Sequence, residues 1–218
     1  MADPPEGLPR QVRGTTPQMR ARYPDFDVLE QAAHWDEVTR EVVLARLETP
    51  PLRFFTEAEA ATLRAFCDVV LAQDRDPRIP VLEHVDAKLA AGKGEGYRYA
   101  DLPEDGETWR LTARVLDAAA CERGAASFAA AGPDLRHEIC AAFADGELEP
   151  ARAWSVVMRD ALSAFYAHPW AWNEIGFGGP AYPRGYARLG VGLSESWEGE
   201  EAFAIDPVAD VRLRGLER

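Results

Sequence analysis

The chain has 218 residues, a hydrophobic fraction of 47% and a formal net charge of −13 at pH 7. This length and composition suit one soluble globular domain with a sizeable core. The negative charge argues against nonspecific binding to nucleic acid or anionic lipid, and no apolar run of about 18 residues predicts a membrane span.

The first 24 residues contain five prolines and little apolar surface, which predicts an extended N-terminal arm over 1–24. A positively charged segment followed by an apolar run is not found there, so we expect a cytoplasmic protein. Asp25 or Asp27 then caps a helix that is expected to reach about Leu47. Residues at helical spacing form its expected inner face: Val28, Ala32, Trp35, Val38 and Val42.

Glu30, His34 and Glu37 lie on one face of this expected helix, at i, i+4 and i+7. This spacing could hold a metal ion, or it could be a solvated charged face. A di-iron bundle needs a Glu-x-x-His pair on each of two helices, and the sequence contains no such pair. The solvated face is therefore the favoured reading.

Thr56 and Glu59 form a capping box that predicts the start of a second helix, ending near Gln73. Asp68 lies beside the apolar stripe of this helix, so it is expected to pair with an arginine or a backbone amide. Pro80 suits the first position of a third helix. There His84 could be a general base near Asp86, but residues two apart on a helix do not face each other, which favours surface exposure.

Three further helices are predicted. One begins near Glu104, has Trp109 and Leu116 on its inner face, and is extended by an alanine-rich run as far as Gly132-Pro133. Asp134 is the expected cap of the next helix, and the last helix is expected over about 151–167, with Leu162 in its buried stripe. Cys67, Cys121 and Cys140 have no CxxC spacing and are expected to be buried, inert thiols.

No segment alternates with a period of two, so we predict an all-α bundle of about six helices. An ordered coil rich in glycine, proline and aromatic residues follows over 165–192, which gives a single helical domain over 25–192 and an acidic tail over 193–218. The coil either packs on its own helices or contacts a partner. His168, Glu174 and Arg184 could form a catalytic pocket, but the lack of a nucleophile favours buried polar contacts.

Several short motifs resemble the small, gamma-type subunit of membrane-associated gluconate 2-dehydrogenase, the subunit 3 family. They are Phe55-Thr56 with Glu59, Leu63, Asp68, Val69-Val70, Val85-Asp86, Leu89, Phe165-Tyr166, His168-Pro169, Gly178-Gly179, Gly185-Tyr186 and Leu189-Gly190. The resemblance covers about residues 54–192. The sequence departs from the family pattern at Pro180, where asparagine is expected, and in the absence of a proline after Gly190-Val191-Gly192.

The resemblance implies a non-catalytic accessory subunit that supports folding, flavin retention or assembly of a large FAD-dependent dehydrogenase. That partner would be of the glucose–methanol–choline type and act on sugars or sugar acids, and a cytochrome subunit could complete the complex. FAD is expected in the partner, with no cofactor in this chain; export together with the partner would give a periplasmic location. The alternative is a free-standing helical enzyme or interaction module that uses the 165–192 coil.

Interface anchors are most often Tyr, Trp and Arg, which are abundant in this coil. The residues predicted to bind the partner are His168, Trp170, Trp172, Phe177, Tyr182, Arg184, Tyr186 and Arg188.

Overall fold

A computed structural model describes residues 27–180, apart from 75, 77, 95, 97, 98 and 176. Every regular element within these ranges is helical, which confirms the predicted all-α fold. A 3₁₀ helix over Val28–His34 is followed by α1 Glu37–Ala45, α2 Glu57–Val70, α3 Val81–Ala90, α4 Asp105–Glu122, α5 Pro133–Ala144, α6 Ala153–Ala167 and α7 Pro169–Ile175. The predicted arm and tail lie outside the described residues.

The described residues divide into two compact units, 46–168 and 27–45 with 169–180. The larger unit contains α2 to α6, in which α2 packs against α3, α4 and α5, and α6 packs against α3 and α4. Its core is formed by fully buried side chains from all five helices, among them Leu63, Phe66, Leu82, Trp109, Leu116, Phe143 and Val157. Burial of each such side chain stabilises the fold by about 1.5–3 kcal/mol.

Two polar arrangements fix the start of the larger unit. The predicted capping box is present, with the Glu59 amide donating to Thr56 Oγ1 at 3.3 Å and the Thr56 amide donating to Glu59 Oε2 at 2.9 Å. The Asp86 carboxylate accepts hydrogen bonds from three consecutive backbone amides, those of residues 53, 54 and 55, at 2.7, 2.9 and 2.9 Å. The prediction that Asp86 is exposed is therefore wrong, because its side chain is fully buried.

The helix predicted to run through the alanine-rich segment ends earlier, at Glu122. Gly124 has a φ of +87°, a left-handed conformation that glycine adopts readily and that ends a helix. The Gly124 amide donates to the Cys121 carbonyl, and the Ala125 amide donates to the Ala120 carbonyl, both at 3.0 Å. This pair of bonds is the Schellman arrangement, and it outweighs the helical propensity of the alanines that follow.

Three smaller predictions for the larger unit are also wrong. Gly132, with Pro133 in the first turn, precedes α5, so Asp134 is not its cap. Leu162 is 38% exposed and Cys121 is exposed, so neither side chain is part of the core. By contrast, Asp68 pairs with an arginine as expected: Arg78 Nη1 contacts Asp68 Oδ2.

In the smaller unit, the single helix predicted to reach Leu47 is interrupted at Trp35 and Asp36. Asp27 caps the 3₁₀ helix through the Leu29 amide at 3.0 Å, and Asp36 accepts from the Thr39 amide at 2.8 Å and so begins α1. The interruption changes the helical register. Val43 is consequently buried, whereas Val38 and Val42, which were predicted to be buried, are 67% and 52% exposed.

The segment after α6 was predicted to be non-helical, but it begins with α7. Pro169 stands at the first position of this helix, where proline is tolerated because that N–H has no intrahelical partner. Trp172 from α7 forms a hydrophobic cluster with Val28, Ala32, Trp35 and Val43. The smaller unit therefore has a core made from both ends of the described chain.

Candidate functional site

The residues predicted to bind a partner differ in their exposure. His168, Trp170 and Trp172 are only 1%, 5% and 5% exposed, so the folded chain itself covers them. Phe177 is 40% exposed and contacts Trp172 edge-on, with the ring centroids 5.3 Å apart. The other four, Tyr182, Arg184, Tyr186 and Arg188, lie outside the described residues, and their contact with a partner stays a prediction.

The smaller unit presents large apolar side chains to solvent. Val38 and Val42 are one turn apart on α1 and therefore share a face of that helix. Ile175, at the end of α7, is 44% exposed. Together with Phe177, these side chains form what we call the apolar set of the smaller unit: Val38, Val42, Ile175 and Phe177. Contiguous exposed apolar surface, such as the strip that Val38 and Val42 form on α1, is typical of sites that a second protein covers.

The larger unit contains a cavity of about 270 Å³, lined by both apolar and ionisable side chains. We call it the histidine cavity, and its lining residues are Arg46, His84, Val85, Lys88, Asp160, Ser163, Ala164, Ala167 and His168. The elements that supply them are the segment after α1, the middle of α3 and the C-terminal half of α6. Helices α3 and α6 pack against each other, which brings His84 close to His168.

Contacts among the lining residues fix their positions. Arg46 Nη1 donates to the Ala167 carbonyl at 3.1 Å. The Asp160 carboxylate accepts from Lys88 Nζ through one oxygen and from Trp109 Nε1 through the other, both at 3.1 Å. The Asp160 side chain is fully buried, so these two donors compensate for the removal of its charge from water.

The surroundings of both histidines favour the neutral imidazole. Burial, with smaller contributions from the nearby His84 and Arg46, lowers the pKa of His168 to about 3. Burial also lowers the pKa of His84, although a hydrogen bond with the Arg46 backbone and the nearby Glu83 carboxylate oppose that shift. The prediction of a surface-exposed His84 is therefore wrong, since this ring is half-buried and lines a cavity.

The His84–His168 proximity could not be inferred from spacing along the sequence. The ring centroids are 6.4 Å apart although the residues are separated by 84 positions. The predicted grouping of His168 with Glu174 and Arg184 stays a prediction, because Arg184 and the Glu174 side chain lie outside what the structure describes. His168 does have the extended backbone that a following proline favours, with φ −83° and ψ 135°.

A larger and more open cleft of about 720 Å³ lies beside the start of α4. Its ionisable walls are mainly acidic, with Glu104, Asp105 and Glu107 against Lys93 and Arg110. The Arg110 guanidinium stacks on the Phe54 ring at 4.2 Å and also donates to the Phe54 carbonyl at 3.0 Å. These contacts engage Arg110 in holding the fold.

The predicted metal alternative for Glu30, His34 and Glu37 is not supported by their positions. His34 ends the 3₁₀ helix and Glu37 begins α1, so the three residues do not share one helix, and all three are exposed. Within the described ranges, no group of three or more His, Cys, Asp or Glu side chains is arranged to hold a metal ion. None of the helices in the described part of the chain is long and apolar enough to cross a membrane.

The sequence matches the model of a known protein family. The model for gluconate 2-dehydrogenase subunit 3 aligns with residues 57–179, which is more than half of the 218-residue chain. The matched segment begins in the first turn of α2 and ends at Gly179, beyond α7. No curated protein and no solved structure matches the chain.

Proposed function

Because the chain belongs to the gluconate 2-dehydrogenase subunit 3 family, we propose that it is a non-catalytic accessory subunit of an FAD-dependent dehydrogenase. The partner is a large flavoprotein of the glucose–methanol–choline type that oxidises a sugar or a sugar acid. Its flavin accepts the hydride from the substrate carbon that carries the hydroxyl group. The accessory chain supports folding, flavin retention or assembly of that flavoprotein. Family membership is the observation that carries this proposal.

The exposed side chains of the smaller unit support the proposal. Val38, Val42, Ile175 and Phe177 are between 40% and 67% exposed. Covering such side chains with a partner removes apolar surface from water, which stabilises a complex. The Trp172 ring contacts the Phe177 ring edge-on and so restricts its movement. A rigid aromatic side chain of this kind loses little conformational entropy on binding. We therefore assign the apolar set of the smaller unit to the contact with the flavoprotein.

Co-expression with a flavoprotein dehydrogenase encoded in an adjacent reading frame tests this function. The flavoprotein is purified with and without the accessory chain, and the flavin absorption spectrum and dehydrogenase activity are measured per mole of flavoprotein. We expect a complex of defined stoichiometry with a higher flavin content than the flavoprotein made alone. Equal flavin content and equal activity in both preparations, with no complex on size-exclusion chromatography, would refute the proposal.

A further inference from the structure

The exposed face of α1 combines an apolar row with an acidic row. Val38 and Val42 are four positions apart and form one row along the helix. Glu37 and Glu41, the residues that precede them, form a second row at the same spacing. Consecutive residues are separated by about 100° around a helix axis, so the two rows lie side by side. All four side chains are exposed, whereas Val43, on the opposite side of α1, is buried.

The acidic row takes no part in holding the fold. Neither Glu37 nor Glu41 forms a hydrogen bond or an ion pair through its carboxylate with the residues that the structure describes. By contrast, the exposed carboxylate of Glu107 lies 2.9 Å from the Arg114 guanidinium. The two charges of the acidic row are therefore not neutralised by neighbouring side chains, and they border exposed apolar surface.

Arg40, the basic residue of α1, is engaged by the backbone of its own unit. Its Nε atom donates to the Ala32 carbonyl and its Nη2 atom donates to the Trp35 carbonyl, both at 3.3 Å. These bonds direct the guanidinium towards the end of the 3₁₀ helix. Residues 27–45 contain five carboxylates and this single arginine. The segment that carries the apolar row is therefore acidic, as is the whole chain with its net charge of −13.

The spacing of the rows indicates the shape of the partner. Side chains four positions apart on one helix match the rows of a second helix that packs along it. Ala45 is exposed and continues both rows, since it lies four positions after Glu41 and seven after Val38. Its small side chain permits a close approach by the backbone of a second helix. An apolar row on that helix would cover Val38 and Val42.

The charge of the face indicates the chemistry of the partner. We infer that the exposed face of α1 binds a basic amphipathic helix of the flavoprotein, an inference that rests on the proposed function. Lysine or arginine side chains beside the apolar row of that helix pair with Glu37 and Glu41. Opposite charges of this kind accelerate association and exclude wrong partners. A second copy of this chain fits the face less well, because two chains of charge −13 repel each other.

The association rate constant with the flavoprotein of the adjacent reading frame tests the inference. It is measured by stopped-flow fluorescence as NaCl rises from about 20 to about 300 mM, a range over which charges become strongly screened. We expect the rate constant to fall by about tenfold or more over this range. At the lowest salt concentration, Glu37→Lys with Glu41→Lys should reduce it by about tenfold and flatten the salt dependence.

The matched control is Glu122→Lys with Glu147→Lys, which changes the net charge equally at exposed positions of the larger unit. Its rate constant should fall by no more than about threefold, because these residues lie outside α1. Glu37 is in the first turn of α1, where a carboxylate stabilises a helix. Glu41→Lys alone is therefore the second variant, and circular dichroism checks that each variant is folded.

The possible outcomes separate this inference from the proposed function. A complex that forms at a rate independent of salt, or equal rate constants for the two double variants, would overturn the inference and leave the proposed function intact. Absence of any complex would refute both. A dimer of the chain alone in sedimentation, lost in Val38→Ser with Val42→Ser, would assign this face to a second copy and so overturn the inference.

Discussion

The side-chain oxygen of Asn173 accepts a hydrogen bond from the backbone N–H of Val28 at 2.7 Å, across 145 positions of sequence. The amide group of Asn173 also donates to Asp27 Oδ1 at 3.4 Å. Helix α7 is thereby fixed to the 3₁₀ helix, and Trp172 lies in the core between them. The start of the glycine- and aromatic-rich segment thus serves the stability of its own unit.

We expect Trp172→Ala to destabilise the isolated chain by about 3–5 kcal/mol, because it leaves a large cavity in the core of the smaller unit. Thermal unfolding of the full chain, followed by tryptophan fluorescence and circular dichroism, measures the effect. Trp154→Ala, in the larger unit, is a useful comparison because it removes the same side chain from a half-buried position. An unchanged unfolding curve for Trp172→Ala would show that the cluster around Trp172 does not contribute to stability.

Unlike Trp172→Ala, the double variant Phe177→Ser with Val42→Ser should weaken partner binding and leave the stability of the isolated chain unchanged. These exposed side chains contribute little to the folded chain, so its melting temperature is expected to stay within the wild-type range. Loss of interface anchors should weaken association with the flavoprotein by about 2 kcal/mol or more. Leu162→Ser, at a residue of similar exposure on α6, is the control that should retain wild-type binding. Unimpaired binding of the double variant would exclude these residues as anchors.

Asp86→Asn should lower the free energy of unfolding strongly, although the two side chains have nearly the same size and shape. The three amides of residues 53–55 bond to a fully buried carboxylate, and an asparagine amide nitrogen cannot accept from them. Hydrogen bonds to charged groups contribute about 1.5–3 kcal/mol each, so we expect a loss of about 3 kcal/mol in urea unfolding. Asp134→Asn, at an exposed position of α5, should change the unfolding free energy little. Similar midpoints for the two variants would contradict the anchoring role of Asp86.

Thr56→Ala should cost about 1 kcal/mol by removing the hydroxyl that caps α2. Thr49→Ala is the matched control, since Thr49 is exposed and precedes the helix. Both variants can be compared by differential scanning calorimetry at one pH. If their midpoints coincide, the capping box does not contribute measurably to stability.

Stability should depend on pH through His168. The pKa of its imidazole is about 3 in the folded chain and 6.5 when unperturbed, so between these values the unfolded chain binds a proton that the folded chain does not. The contribution of His168 to the free energy of unfolding is therefore fully present above pH 6.5. It decreases as the pH falls towards 3, by at most about 1.4 kcal/mol per pH unit. Urea unfolding at several pH values should give a shallower dependence for His168→Gln than for the wild type, whereas exposed His137→Gln should follow the wild type. An unchanged slope in His168→Gln would contradict the buried neutral state.

The sequence predicts those features that depend on neighbouring residues. Thr56 and Glu59 are three positions apart and form the predicted box. Trp109 and Leu116, seven positions apart on α4, follow the helical period and are both fully buried, as expected. The Asp68–Arg78 pair likewise joins the helix to the turn that follows it. In each case the interacting residues are close in sequence, so the helical repeat or one turn determines the contact.

Features that depend on packing between distant segments were not predictable. The side chain of Asp86 could be assigned to a backbone anchor only once residues 53–55 were placed beside α3. His84 and His168 approach each other because α3 packs on α6, which no local pattern encodes. The interruption at Trp35 has a local cause, because Asp36 caps α1. The helical spacing of the apolar residues continues through this point, however, and therefore predicted one uninterrupted helix. Pro169 likewise indicates either the end of one helix or the start of the next.

The Asp86 anchor also bears on the order in which the chain folds. Its three bonds join residues only 31–33 positions apart, so they enclose a hairpin made of α2 and α3. Contacts between residues close in sequence require less loop-closure entropy than contacts between distant ones. Residues 53–90 contain every group that these three bonds join, so we expect the anchor to form before the contacts of α3 with α6. The hairpin then provides a surface on which the later helices can dock.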